Sequence, residues 1–215
     1  MTRWRRFIRK LWHWVCRFIA WLFIRPGIHG LENFPSQGPA LIVTNHVGDA
    51  DIILALAFLP HQPDALGKAE LYDYPILGKA MRAYGMIWVH RGRADRRAIR
   101  AALDGLQEKR FVAVAPEGRE SLSGGLETGT NGAAYLALKS GVPILPISFT
   151  GTENDVFYSN LKRLRRTPMT LTIGPLFHLD PHINRQEAIR CGTEKIMHTL
   201  AQQLPTEYQG IYRFE

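Results

Sequence analysis

The sequence predicts a single α/β domain, in which a mostly parallel central sheet is covered by helices and preceded by an amphipathic helix. Short, β-rich apolar runs alternate along the chain with longer Leu- and Ala-rich runs. The run at 111–115 is nearly continuous in apolar residues, as in a strand buried on both faces. A chain of 215 residues can form one domain with a sizeable core, and no internal repeat indicates a second domain.

Charge and composition narrow the class of protein. With 46% hydrophobic residues, the chain is neither disordered nor a polytopic membrane protein. Its net charge of +8 favours anionic partners, which include phospholipid surfaces, phosphorylated substrates and nucleic acid. The two cysteines, Cys16 and Cys191, form no disulfide framework and fit a reducing compartment. Pro181 separates His178 from His182, so these histidines are not a regular helical pair and no metal site is predicted.

Residues 1–25 predict an amphipathic helix, separate from a domain at 26–215. The apolar run at 18–24 is too short to span a bilayer, and no small-residue cleavage site indicates a signal peptide. We expect this helix to anchor the protein at the surface of an anionic phospholipid leaflet, on the cytoplasmic face of the cell membrane. The alternative is a helix that packs its aromatic face on the domain. The basic stripe comprises Arg3, Arg6, Lys10, His13 and Arg17, and the apolar face comprises Trp4, Phe7, Ile8, Leu11, Val15, Phe18 and Leu22, with Trp12, Trp14 and Trp21 as further interfacial aromatics.

The remaining chain is predicted to alternate between strands and helices, punctuated by Pro and Gly. Pro60 follows the first domain helix, and Gly85 and Gly141 close two later helices. Strands are predicted at 28–34, 40–43, 65–69, 86–89, 111–115, 142–147 and 169–173, and helices at 52–59, 75–84, 96–108, 131–140 and 185–204.

His46 and Asp51 are the first candidate catalytic residues. His46 lies on the predicted loop between a strand and a helix, and Asp51 begins that helix. Histidine is the usual general base near neutral pH, and a carboxylate on its other ring nitrogen fixes the tautomer and stabilises the imidazolium. A purely structural His–Asp pair is the alternative, with Asp49 as a cap of the helix.

Two further predicted strands also end in polar side chains. Arg91 follows the strand at 86–89, whereas Glu117, Gly118 and Arg119 follow the strand at 111–115. The carboxyl ends of parallel strands share one edge of a sheet, where ligands bind. Because arginine holds phosphate through its planar fork, a base beside two arginines suggests chemistry on a hydroxyl of a phosphorylated substrate.

The order of these motifs resembles that of the glycerolipid acyltransferases, the family of lysophosphatidate and glycerol-3-phosphate acyltransferases. The resemblance covers roughly residues 28–175, and a Lys-x-Glu-Leu element lies between the first two motifs. The matching segments are Asn45-His46 with Asp51, Lys68-Ala69-Glu70-Leu71, Gly85-Met86-Ile87-Trp88-Val89-His90-Arg91, Pro116-Glu117-Gly118-Arg119-Glu120-Ser121 and Val142-Pro143-Ile144-Leu145-Pro146.

The resemblance implies an acyl transfer without a cofactor or an acyl-enzyme. His46, held by Asp51, would take the proton of the free hydroxyl of lysophosphatidate, and the acyl donor would be acyl-CoA or acyl-carrier protein. Arg91 and Arg119 would bind the acceptor phosphate. Glu117 and Gly118 would shape that pocket, and Asn45, Lys68 and Ser121 are secondary candidates.

The third motif departs from the family pattern, because Arg119 stands one place early and Glu120 occupies the usual arginine position. The acceptor therefore stays open between lysophosphatidate and another lysolipid or amino lipid. An alternative from another class is a non-catalytic module that binds membranes or nucleic acid, for which the basic cluster at 162–166 is suited. We expect no nucleic-acid partner, since such a module has no need of the pair formed by His46 and Asp51.

Overall fold

The computed structural model describes residues 2–90, 92, 95–180 and 184–213. Short 3₁₀ helices lie at Leu31–Asn33, Ala69–Asp73, Thr206–Tyr208 and Gly210–Tyr212. The strands are β1 (Ile24–His29), β2 (Ala40–Thr44), β3 (Asp64–Lys68), β4 (Ile87–Val89), β5 (Phe111–Val114), β6 (Ile144–Thr150) and β7 (Thr167–Ile173). The helices are α1 (Arg3–Phe23), α2 (Ala50–Phe58), α3 (Leu77–Tyr84), α4 (Arg96–Gln107), α5 (Asn131–Ser140), α6 (Asn154–Lys162) and α7 (Arg185–Gln203).

The strands form one seven-stranded sheet in the order β1-β7-β6-β2-β5-β3-β4. All neighbouring pairs are parallel except β6 and β7, which are antiparallel. This arrangement confirms the predicted α/β domain with a mostly parallel sheet. It also brings the carboxyl ends of β6, β2, β5, β3 and β4 to the same edge, where side chains from separate motifs can meet.

Two apolar clusters cover the two faces of the sheet, and β2 contributes to both because its side chains alternate. Ile42 points into the cluster formed with α1, α2 and α6. Leu41 and Val43 point into the cluster formed with α4, α5 and α7. Since β2 is buried on both faces, the loop that follows it starts from a fixed position.

Several boundaries differ from the prediction. The strand predicted at 28–34 begins at Ile24 and ends at His29. It ends there because the next residue, Gly30, takes a φ of +71°, which is not a strand conformation. A Cβ at Gly30 would also lie 2.0 Å from the carbonyl oxygen of Ile173. Pro26 is accommodated because β1 is an edge strand. Helix α6 and the C-terminal 3₁₀ turns were not predicted, since their segments lack a strong apolar period.

Helix α1 packs along α2, with Cys16 and Ala20 buried in the shared core. Two residues of the basic stripe contact the domain: the His13 ring lies 2.8 Å from the Leu56 carbonyl oxygen, and Arg17 donates to the Ala57 carbonyl oxygen. Both carbonyls belong to the last turn of α2, where the Arg17 cation is favourable. The aromatic face, by contrast, points away from the domain; its exposed residues are Trp4, Phe7, Leu11, Trp14, Val15, Phe18, Trp21 and Leu22.

A buried ion pair fixes the N-terminal half of α1. Arg9 donates to Asp64 at 2.5 Å and to the carbonyl oxygens of Gln62 and Tyr84. Its guanidinium also lies 4.6 Å from the centre of the Tyr84 ring. None of the helices in the described part of the chain is long and apolar enough to cross a membrane.

Candidate active site

His46 and Asp51 form a hydrogen-bonded pair in the loop from β2 to α2. His46 Nδ1 lies 2.9 Å from Asp51 Oδ2. The Asp51 side chain is only 5% exposed, whereas the His46 side chain is 24% exposed. A buried carboxylate therefore orients a histidine that solvent and a substrate can reach.

Asp51 also organises the backbone of this loop. Its Oδ2 accepts from the N–H groups of Val47 at 2.8 Å and Gly48 at 3.2 Å. A carboxylate oxygen surrounded by backbone donors is an acceptor, so the His46 ring donates from Nδ1 and Nε2 is the nitrogen that can act as a base. Five residues of spacing suffice because the helix begins with Asp51 in its first turn.

Asp49 occupies the N-cap position of α2, as the alternative expected, but its side chain makes no capping hydrogen bond. Asp49 instead accepts from the hydroxyl of Tyr158 on α6 at 2.8 Å. This hydrogen bond raises the pKa of Tyr158 to about 12. Asp49 thus ties the loop that carries His46 to α6, a helix that the sequence did not predict.

The Asn45 side chain joins the end of β2 to the neighbouring strand β6. Its side chain donates to the Phe149 carbonyl at 2.9 Å and accepts from the Phe149 N–H at 2.8 Å, which continues the β2–β6 ladder beyond Thr44. Gly48 faces the same strand end, where a Cβ would lie 2.2 Å from the Thr152 carbonyl oxygen. The end of β6 therefore holds the loop from both sides of His46.

The third motif contacts the first through backbone. The Ser121 N–H donates to the His46 carbonyl at 2.7 Å, and the Ser121 hydroxyl donates to the Gly125 carbonyl at 2.6 Å. Gly118 stands at a φ of +75°, so a residue with a side chain would be strained there. The turn after β5 is thereby folded against the histidine loop, as the shared sheet edge predicts.

Glu117 is a buried carboxyl beside this contact. Its Oε2 accepts from the N–H of Glu127 at 2.8 Å. Burial raises the pKa of Glu117 to about 7, against the opposing effect of the backbone N–H groups of Glu127 and His46. Glu117 therefore holds the 117–127 loop closed and changes charge near neutral pH.

Arg119 is exposed at the mouth of a cleft of about 530 Å³. Its guanidinium donates to Glu127 Oε2 at 2.6 Å, and Glu127 Oε1 accepts from the Leu122 N–H. His46 does not line the cleft and adjoins it through Glu117. The lining residues are Glu117, Arg119, Ser123, Leu126, Glu127, Thr128, Gly210 and Ile211, of which the last two belong to the unpredicted C-terminal turn.

Glu120, at the departure from the family pattern, is joined to the start of α6. Its carboxylate accepts from Asn154 Nδ2 at 2.7 Å. The Oδ1 of the same Asn154 accepts from the Asp49 N–H at 2.9 Å. Asn154 thus bridges the first and third motifs. No local sequence signal marks it, because its role depends on where β6 ends.

Of the two remaining predicted residues, only Lys68 can be placed, further along the same edge. Lys68 is exposed at the end of β3. Arg91 lies outside the described residues; β4, the strand that precedes it, ends at Val89. In the ranges that the structure describes, no group of three or more His, Cys, Asp or Glu side chains is placed to hold a metal ion.

Comparison with known proteins places this geometry in a family. Residues 25–150 match the family model described as Acyltransferase. A chloroplastic 1-acyl-sn-glycerol-3-phosphate acyltransferase of Brassica napus is 31% identical over 154 residues, covering 68% of this chain and 44% of the relative. The corresponding protein of Arabidopsis thaliana is 32% identical over 153 residues, covering 70% and 42%. The chain thus spans less than half the length of these two relatives.

A solved structure is also similar. The 1-acyl-sn-glycerophosphate acyltransferase PlsC of Thermotoga maritima superposes with a TM-score of 0.71 at 26% identity, over 93% of this chain and 80% of that one. The matched family region contains the histidine loop, the third motif and the strands that carry them. With the sheet and the motif order both in agreement, the chain belongs to the Acyltransferase family.

Proposed function

We propose that this protein transfers a fatty acyl group from acyl-CoA or acyl-carrier protein to the free hydroxyl of lysophosphatidate, giving phosphatidate. The observation that carries the proposal is the 2.9 Å contact between His46 Nδ1 and buried Asp51 at the carboxyl edge of the sheet. Family membership and the activity for which the matched relatives are named support the acceptor class.

In the proposed reaction, His46 Nε2 takes the proton of the acceptor hydroxyl. The alkoxide oxygen attacks the thioester carbonyl carbon, and the C–S bond then breaks. The leaving thiolate takes the proton back from His46, so the enzyme returns to its starting state. Asp51 stabilises the transient imidazolium and keeps the ring in one tautomer. The reaction balances without a resident cofactor or metal.

The acceptor phosphate would bind at the cleft beside Arg119, with Arg91 as a proposed second ligand. Arg119 is exposed, and one of its guanidinium nitrogens already donates to a carboxylate, that of Glu127. A phosphate dianion would compete with Glu127 for this guanidinium. Glu117 and Gly118 would shape the wall of the cleft rather than contact the reacting atoms.

We propose that α1 docks the enzyme on the phospholipid surface from which the acceptor comes. Without a membrane, the outward aromatic face of α1 would be exposed to water. Large exposed apolar patches of this kind usually mark interaction sites. Its exposed tryptophans suit the headgroup region. Two free cysteines, Cys16 and Cys191, fit the reducing cytoplasmic side of a cell membrane.

Thiol release from acyl-CoA with lysophosphatidate as acceptor tests the reaction. His46→Ala should lower turnover by about 10²–10⁴-fold or more, and Asp51→Asn should lower it through the wrong tautomer. His29→Ala, at an exposed histidine of β1, is the matched control. A His46→Ala protein with an unchanged melting temperature and near-wild-type turnover would refute the mechanism.

A lysolipid panel tests the headgroup, because the departure at Glu120 leaves another lysolipid or an amino lipid as the second candidate acceptor. Arg119→Ala should raise the KM for lysophosphatidate about 10-fold or more while the KM for the acyl donor changes little. Arg119→Lys should recover only part of this loss. An equal effect on a zwitterionic acceptor would remove the phosphate assignment and leave acyl transfer intact.

A further inference from the structure

The turn between α6 and β7 combines three cations with an exposed leucine. Lys162, Arg163 and Arg165 are all exposed and surround Leu164, whose residue surface is 82% exposed. The proposed acyl transfer uses none of these residues. The turn follows α6, whose Phe157 packs in the same apolar cluster as α1 and α2, so it belongs to the face of the sheet that carries the aromatic helix.

Leu164 adopts a left-handed backbone conformation that is unfavourable for leucine. Its φ is +52°, in the left-handed region that favours glycine. The Arg165 N–H donates to the Asn160 carbonyl and the Leu164 N–H donates to that of Leu161, which is the Schellman ending of a helix with Leu164 at the usual glycine position. A strained and exposed leucine is not explained by packing, and such outliers concentrate at functional sites.

The turn is held firmly and is joined to α1. Asn160 donates to the Thr167 hydroxyl at 3.1 Å, and the Arg166 Nε donates to the Ile24 carbonyl at 2.9 Å. Ile24 is the C-cap residue of α1, two residues after exposed Leu22. The cations therefore adjoin the end of the apolar helix face that we assign to the membrane.

We propose that the turn at 162–166 is a second membrane contact, which binds anionic phospholipid headgroups through Lys162, Arg163 and Arg165 and inserts Leu164 into the interface. The proposal rests on the membrane docking of α1 under the proposed function. Charge complementarity selects an anionic leaflet, and the protruding leucine favours lipid over nucleic acid, which offers no apolar layer to enter. The turn would fix the orientation of the enzyme on the surface that α1 alone leaves undetermined.

Vesicle sedimentation of the full chain tests this proposal, with phosphatidylcholine vesicles that contain or lack phosphatidylglycerol. Replacing Lys162, Arg163 and Arg165 together by Gln should weaken binding to the anionic vesicles on the order of 100-fold, about fivefold for each charge. Binding to pure phosphatidylcholine should change little. The matched control replaces Arg96, Arg97 and Arg100 of α4, which are exposed on the opposite face of the sheet, and should have only a small effect.

Leu164→Gly separates a lipid contact from a structural role. Glycine relieves the positive φ, so the melting temperature should rise by about 2–4 °C. Loss of the inserted side chain should nevertheless weaken vesicle binding about tenfold. A more stable protein with unchanged vesicle affinity would overturn the insertion of Leu164.

Other outcomes distinguish this proposal from the docking of α1. If the two triple variants lose equal affinity, the effect is one of net charge and the turn is not a site. If only Phe18→Ser with Trp21→Ser weakens binding, α1 docks the enzyme and the turn proposal is wrong. If the turn variant loses binding to duplex DNA but not to vesicles, the partner is a nucleic acid and the lipid assignment is overturned.

Discussion

Replacing Glu117 by Gln should remove a pH dependence of stability from this protein. The Glu117 carboxyl is buried and holds the 117–127 loop through the Glu127 N–H. Burial raises its pKa from 4.5 to about 7. A folded-state pKa above the unfolded value means that the folded protein retains a proton that the unfolded chain has released between these pH values. Stability must then fall as the pH rises from about 4.5 through about 7.

The size of this effect follows from the shift. Moving the pKa from 4.5 to about 7 corresponds to about 3 kcal/mol, with a slope of up to about 1.4 kcal/mol for each pH unit. The side-chain amide introduced by Glu117→Gln has no titrating proton, so the variant should lack this slope. Asp95 and Glu127 have lowered pKa values, and their effects belong to more acidic solutions, outside the window from pH 5 to 8.

Chemical denaturation at intervals between pH 5 and 8 measures the difference in unfolding free energy between wild type and Glu117→Gln. The difference should change by about 2–3 kcal/mol in favour of the variant as the pH rises. Glu207→Gln, at an exposed glutamate of the C-terminal turn, is the control. Parallel curves for wild type and Glu117→Gln would refute a buried, proton-retaining Glu117.

Two further predictions concern α1 and the cleft. Arg9→Met should destabilise the fold by up to about 3–5 kcal/mol, because it removes one partner of buried Asp64. The remaining ion pair between Asp64 and Arg110 reduces this loss. Thermal denaturation measures the effect, with Arg6→Met, at an exposed arginine, as the control. Glu127→Gln should release Arg119 and lower the KM for lysophosphatidate by up to about fivefold with turnover unchanged. A raised KM in that variant would mean that Glu127 orients Arg119 rather than competing with phosphate.

The arrangement of α1 changes what an anchor deletion would test. The sequence predicts a removable segment at 1–25, but Arg9, Cys16 and Ala20 are buried against the domain. Removing α1 would expose apolar core surface and leave Asp64 with one cation fewer. Substitutions on the outward face, such as Trp21→Ser, separate membrane docking from folding more cleanly.

Local chemistry in the sequence determined the histidine loop and most of the helices and strands. A buried strand, a short loop and a helix with Asp51 in its first turn suffice to bring this carboxylate onto the His46 ring, because the contact is local. The alternation of strands and helices likewise predicted the parallel sheet, and the shared carboxyl edge predicted that Glu117 and Ser121 would lie beside the histidine loop.

Only the tertiary structure decided the contacts made across the chain. The amphipathic period of α1 predicted two faces but not which one packs on the domain, because Arg9, His13 and Arg17 find carbonyl and carboxylate partners only once α2 and β3 are in place. The bridge from Asn154 to Glu120 and Asp49 likewise joins segments distant in sequence. The spacing of apolar and charged residues predicts which side chains share a face of a helix. Long-range hydrogen bonds and packing determine which part of the protein that face contacts.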